Sequence, residues 1–122
     1  MLSLELPYPP SVNHYWRHVG PRVLISREGR LYRERAGLAL AQMGLQPLRG
    51  LLVVSIEAYP PDKRRRDLDN LLKSLLDSLQ HGGAFVDDSQ IVDLRIVKRA
   101  AVPNGRVIVH IEELKNANVE TR

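Results

Sequence analysis

With 122 residues the chain is long enough for one compact core and too short for a second, so a single domain is expected. Lysine and arginine total 18 against 14 acidic residues, and the net charge of +4 favours an anionic partner such as nucleic acid. The absence of cysteine excludes disulfides, thiolate zinc sites and cysteine nucleophiles, so any metal must sit on oxygen or imidazole.

The N-terminus has neither the charged start nor the apolar core of a signal peptide, and no apolar run approaches the roughly 20 residues of a membrane span. A soluble, cytoplasmic protein is the expectation. Leu2, Leu4 and Leu6 alternate with Ser3 and Glu5 as a half-buried strand, which Pro7, Pro9 and Pro10 end because proline donates nothing to a ladder. Asn13 to His18 reads as a polar loop carrying Tyr15 and Trp16, more suited to core or interface anchors than to base stacking. Val23-Leu24-Ile25 suggests a short strand. Ser26 then caps a helix in which Tyr32, Ala36, Leu40 and Met43 recur at helical spacing up to Gly44.

Leu51 to Tyr59 has the apolar density of a central strand, closed by Pro60-Pro61. Leu68, Leu71, Leu72, Leu75, Leu76 and Leu79 form the strongest helical stripe in the chain, ending at Gly82-Gly83. Val92, Leu94 and Ile96, then Val107, Val109 and Ile111, mark two further strands, and Asn104-Gly105 between them suggests a C-terminal β-hairpin. The order predicts an α/β (α+β) domain over residues 1–114, with two main helices packed on a mixed sheet and a polar tail from 115 to 122.

Between the central strand and the leucine-striped helix lies Arg64-Arg65-Arg66-Asp67-Leu68-Asp69-Asn70. Arginines can hold a phosphate backbone, and adjacent carboxylates can hold a divalent cation. Inside a helix Asp67 and Asp69 would lie about 200° apart, but at a strand-to-helix junction both can converge. Two carboxylates about 4 Å apart repel by about 4 kcal/mol at an effective dielectric near 20, which favours cation binding, and oxygen ligands suit Mg2+ or Mn2+. The bland alternative makes Asp67 an N-cap and Asp69 a first-turn acid.

Lys73 is i+4 from Asp69, either a surface ion pair or an ammonium held near a metal-bound phosphate. Asp87-Asp88 offers a third carboxylate if its loop neighbours the helix start; otherwise it is turn chemistry. His14, His18, His81 and His110 lack zinc spacing.

The run Arg64 to Leu71 with Lys73, followed by Val86-Asp87-Asp88-Ser89-Gln90-Ile91-Val92-Asp93, closely resembles the RusA family of Holliday junction resolvases. The opening Leu6-Pro7-Tyr8-Pro9-Pro10-Ser11-Val12-Asn13-His14-Tyr15-Trp16-Arg17 resembles that family's N-terminal segment, so the likeness spans nearly the whole chain. It implies a small homodimeric, magnesium-dependent endonuclease, often prophage-encoded, that nicks four-way DNA junctions symmetrically in recombination and repair. Asp67, Asp69 and Asp88 are then the metal-binding acids, Lys73 the catalytic lysine, and Arg66 a basic position beside the site; the charge run Arg64, Arg65 and Arg66 next to these acids is itself read as the DNA contact. The resemblance leaves the share of Asp87 open. Branched DNA is the expected partner, with neither membrane nor small-molecule substrate. A nuclease of forks or flaps, or an inactive junction-binding protein, are the competing readings.

Overall fold

The structure, a computed structural model, describes residues 1–114. The tail expected from 115 onward lies outside the described residues. In chain order the elements are β1 (Leu2–Leu6), α1 (Val12–Tyr15), β2 (Trp16–Val19), β3 (Arg22–Ile25), α2 (Arg27–Met43), β4 (Leu52–Tyr59), α3 (Asp69–His81), a 3-10 turn (Asp88–Gln90), β5 (Ile91–Lys98) and β6 (Arg106–Glu113). The mixed α/β domain is as expected. No helix among the described residues is long and apolar enough to cross a membrane.

Four strands form one sheet in the order β1-β6-β4-β5. Antiparallel pairing joins β1 to β6 and β6 to β4, whereas β5 runs parallel to β4. Alternation decides which face is covered: Leu2, Leu4 and Leu6, Val54, Ile56 and Ala58, and Val107, Val109 and Ile111 all point to the core. Against them α3 sets Leu71, Leu75 and Leu79, and α2 sets Tyr32, Ala36 and Leu40. The other face is polar. There Ser3 Oγ donates to His110 Nδ1 at 2.8 Å and His110 Nε2 donates to Glu57 Oε2 at 3.1 Å, across neighbouring strands.

Both ends of α2 follow local rules. The Gly29 amide donates to Ser26 Oγ at 2.9 Å, and Gly44 closes the helix in the left-handed region at φ 63°. The polar loop expected over Asn13 to His18 is instead a helical turn running into β2, which pairs antiparallel with β3 as a separate two-stranded ribbon. Charged and aromatic side chains hide that strand's alternation.

The expected C-terminal hairpin is not formed. The turn chemistry holds, since Asn104 and Gly105 have φ of 68° and 67°, but β6 passes between β1 and β4 rather than pairing with β5. Before the turn the chain stays bonded to the end of β4, with Arg99 N donating to Ala58 O and Val102 N to Pro60 O. Val107, Val109 and Ile111 are thereby buried in the middle of the sheet, where their apolar surface is worth most.

Candidate active site

Because β5 is parallel to β4, the intervening chain must return from one end of the sheet to the other, and α3 makes that return. Residues that follow β4 and residues that precede β5 therefore lie at opposite ends of α3. This topology governs the site.

At the first end the loop after Pro60-Pro61 is braced from within. Asp62 Oδ1 accepts from Arg66 Nη1 at 2.6 Å and from the Arg64 amide at 2.9 Å. The Arg66 guanidinium also lies 5.9 Å from the centre of the Tyr8 ring, and its carbonyl accepts from Lys98 Nζ at 2.8 Å. Arg66, followed by the Arg64 amide, holds the Asp62 carboxyl far below the usual aspartate range. Among the three arginines the structure thus separates roles: Arg66 is turned inward as a brace, while Arg64 and Arg65 are exposed. Asp62, which anchors the loop, had no distinguishing signal in the sequence beyond its spacing from Arg66.

The N-cap of α3 is Leu68, which makes no side-chain cap bond, so the reading of Asp67 as a cap does not hold. Asp67 contributes only its carbonyl, which accepts from the Asn70 amide at 3.2 Å. Asp67, Asp69 and Lys73 are all exposed, and among the described residues none of them forms an ion pair. The Asp69–Lys73 surface pair is absent. A cleft of about 810 Å³ opens beside Asp67, walled by Arg64, Arg65 and Asn70 on one side and by Tyr8, Pro10 and His14 on the other.

The N-terminal wall is held by a polar network. Tyr15, fully buried, donates its phenol to Asp77 and accepts from Arg33 Nε at 2.8 Å, while Arg33 Nη2 bridges to Asp77 at 2.7 Å. Burial, reinforced by Asp77, raises the Tyr15 phenol above its ordinary value. Tyr32 adds a bond from its hydroxyl to Pro7 O at 2.7 Å. Tyr15 is therefore a core anchor, with Trp16 edge-on to its ring at 4.9 Å. Gly105 admits the wall sterically, since a Cβ there would stand 2.9 Å from the Tyr8 Cβ and 3.0 Å from Pro61.

The opposite end of α3 holds Asp87 and Asp88, and the structure gives them different work. Asp87 caps the 3-10 turn: its carboxylate accepts from the Ser89 amide at 3.0 Å and from the Ser89 hydroxyl, which lowers its pKa. Gln90 completes the turn, accepting from the Val86 and Asp87 amides at 2.9 and 2.8 Å and donating to Leu48 O and Gly50 O at 3.0 and 2.7 Å. The Asp88 amide is fixed to Gln80 Oε1 at 3.0 Å, in the last turn of α3, and its exposed carboxylate is in no ion pair among the described residues.

Asp69 and Gln80 are separated by the length of α3, about 17 Å at 1.5 Å per residue. Accordingly, no three acidic or histidine side chains gather as metal ligands among the described residues. The donor chemistry of Asp67, Asp69 and Asp88 suits a hard cation, but one chain does not bring the three together.

An arginine-lined cleft beside exposed carboxylates has the chemistry to hold a phosphate backbone and a cation, and comparison with known proteins points to the same class. Residues 7–112 match the family described as Endodeoxyribonuclease RusA, and the chain belongs to that family. It is 45% identical over 112 residues to the crossover junction endodeoxyribonuclease of Enterobacteria phage HK97, covering 91% of this chain and 93% of that one. The corresponding enzyme of Escherichia coli K12 is 41% identical over 119 residues, covering 93% and 96%, and that of Enterobacteria phage 82 is 41% identical over 118 residues, covering 93% and 95%.

Proposed function

We propose that this chain is a Holliday junction resolvase: a homodimeric, magnesium-dependent endonuclease that places paired symmetric nicks in four-way DNA junctions in the cytoplasm. The observation that carries the reading is Asp67 in the wall of a cleft lined by Arg64 and Arg65, with Asp69 exposed two residues on, neither acid in an ion pair among the described residues. Exposed carboxylates beside a basic cleft are available to a ligand. They suit a cation that arrives with the substrate.

The separation of Asp88 from the other two acids favours a site shared between chains. Asp67 and Asp69 of one chain with Asp88 of the second would hold Mg2+, or Mn2+ in its place, and the ion would supply charge to polarise the phosphate and acidify a water. Lys73 lies one turn into α3 on the Asp69 face and, having no acidic partner among the described residues, can bond a phosphate oxygen. Arg64 and Arg65 hold the backbone by charge without reading sequence, so affinity falls steeply with salt. Arg66 serves the same surface by keeping their loop in shape. A two-fold dimer matches the two-fold symmetry of a four-way junction and presents one site to each of two strands.

The decisive experiment offers labelled four-way, forked, flapped and linear DNA with Mg2+, with Mn2+ and with EDTA. Symmetric nicking of the four-way substrate alone, abolished by EDTA, is expected. Preferential cutting of forks or flaps would make the chain a different structure-selective nuclease. Tight junction binding without cleavage in any metal would make it a binding protein.

A further inference from the structure

Lys73 stands on α3 midway between two acids of its own face. Asp69, Lys73 and Asp77 recur every four residues, and residues so spaced are neighbours on a helix, so either carboxylate is within reach of the ammonium. Three residues away on either side stand Asn70 and Leu76, which carry no charge. Lys73 nonetheless forms no ion pair among the described residues. For Asp77 the cause is a competitor from another helix.

Arg33 of α2 sets two nitrogens on one oxygen of that carboxylate, with Nη2 at 2.7 Å and Nε at 3.1 Å from Asp77 Oδ2. Tyr15 donates its phenol to the same oxygen. The guanidinium is held in turn, its carbon 5.7 and 5.9 Å from the centres of the Tyr15 and Trp16 rings. Only 21% of the Arg33 side chain and 32% of the Asp77 side chain are exposed, whereas Lys73 lies in solvent. A planar fork partly shielded from water is a stronger partner for a carboxylate than a hydrated ammonium on a flexible stem. Exposed pairs four residues apart on a helix are weak by comparison. Arg33 therefore takes Asp77.

We infer that Arg33 is a positioning residue for the nuclease reaction: by claiming Asp77 it denies that carboxylate to Lys73 and keeps the ammonium free for phosphate. The inference rests on the role given to Lys73 above. With Asp69 committed to a cation, Asp77 is the acid within helical reach that remains to compete for the lysine. A free carboxylate there would offset the positive charge that Lys73 brings to the transition state and would repel the approaching phosphates. Arg33 removes both effects from a neighbouring helix, without touching substrate.

The same network holds the N-terminal wall of the cleft, so the test must separate charge from shape. Arg33→Gln loosens the network and releases the carboxylate; adding Asp77→Asn loosens it no less and removes the released charge. Nicking of four-way DNA is measured with Mg2+ and protein in excess, together with circular dichroism and urea midpoints. Arg33→Gln is expected to slow nicking about fivefold or more, the effect of a unit charge about 4 Å away in a water-like dielectric. The double variant should recover most of that loss and match Asp77→Asn alone, and Arg33→Lys, which keeps a cation on Asp77, should lose less than Arg33→Gln. A double variant as slow as Arg33→Gln, or slower, overturns the positioning role and leaves only a structural brace. Should Arg33→Gln fail to fold, the double variant is read against Asp77→Asn: equal rates support the inference, and a double variant about fivefold slower overturns it. In each of these cases wild-type nicking leaves the nuclease reading intact, whereas a folded wild type that cuts no branched DNA in any metal overturns that reading and the inference with it.

Discussion

The two ends of α3 carry the same kind of side chain on contrasting foundations. At its start Asp67 projects from a loop held by the charged contacts of Asp62 with Arg66 and Arg64, beside a wide cleft, and Asp69 from the first turn of the helix. At its end Asp88 projects from a tight turn in which Asp87 and Gln90 satisfy the backbone with neutral and charge-assisted hydrogen bonds. A loop braced by ions can adjust to a bulky polyanion that competes for its arginines. A capped turn holds one carboxylate in one place. In both, one aspartate is committed to the scaffold, Asp62 or Asp87, so that its neighbours remain free.

The largest expected effect tests whether the two ends serve one site. Asp67→Asn and Asp88→Asn should each lower junction cleavage at least about a hundredfold, more than loss of a group that merely orients a ligand, while junction binding persists in a gel-shift assay. Mixing the two inactive proteins should recover nicking. A heterodimer then has one site with both defects and one with neither, so single nicks should replace paired ones. An inactive mixture whose heterodimers are demonstrated would mean that the ends do not cooperate across chains.

A smaller effect distinguishes the foundations. Gln90→Ala removes two acceptor and two donor contacts from the Asp88 turn and should cost about 1–3 kcal/mol in urea unfolding, because backbone groups lose their partners. Cleavage should fall further than stability alone explains, and equal loss of both would show that the turn is only structural.

The smallest effect concerns pH at the other end. The Arg66 and Arg64 contacts hold the Asp62 carboxyl below its ordinary value of 3.8, so their stabilising effect is fully present above that value and is lost as pH falls toward the lower folded-state value. Wild type should therefore lose more stability than Asp62→Asn between about pH 5 and about pH 2.5, as read from urea midpoints. Identical acid profiles would show that the brace does not persist in solution.

Much of the fold was legible because its signals are local. Ser26 and Gly44 bound α2, the leucine stripe marks α3, and the alternation of β1, β4 and β6 assigns the buried face without reference to distant residues. β2 escaped notice because Arg17 and His18 interrupt its alternation and its partner is a strand just as short. The hairpin expectation failed for a different reason: Asn104-Gly105 specifies a turn, but a turn does not name the strand that its second arm will meet. The candidate acids were visible as residue types, and Tyr15 as an anchor, whereas the roles of Asp62 and Gln90 depend on partners that spacing does not reveal.

By itself the sequence determined the candidate residues, three acids with a lysine and a basic run, together with the family that carries them. Tertiary structure alone decided where those acids stand. Antiparallel neighbours can be joined by a turn, which keeps sequence neighbours close, but a parallel pair requires the chain to cross back along the sheet. The parallel pairing of β4 with β5 therefore sends Asp88 the length of α3 away from Asp67 and Asp69, although only a short stretch of sequence divides them.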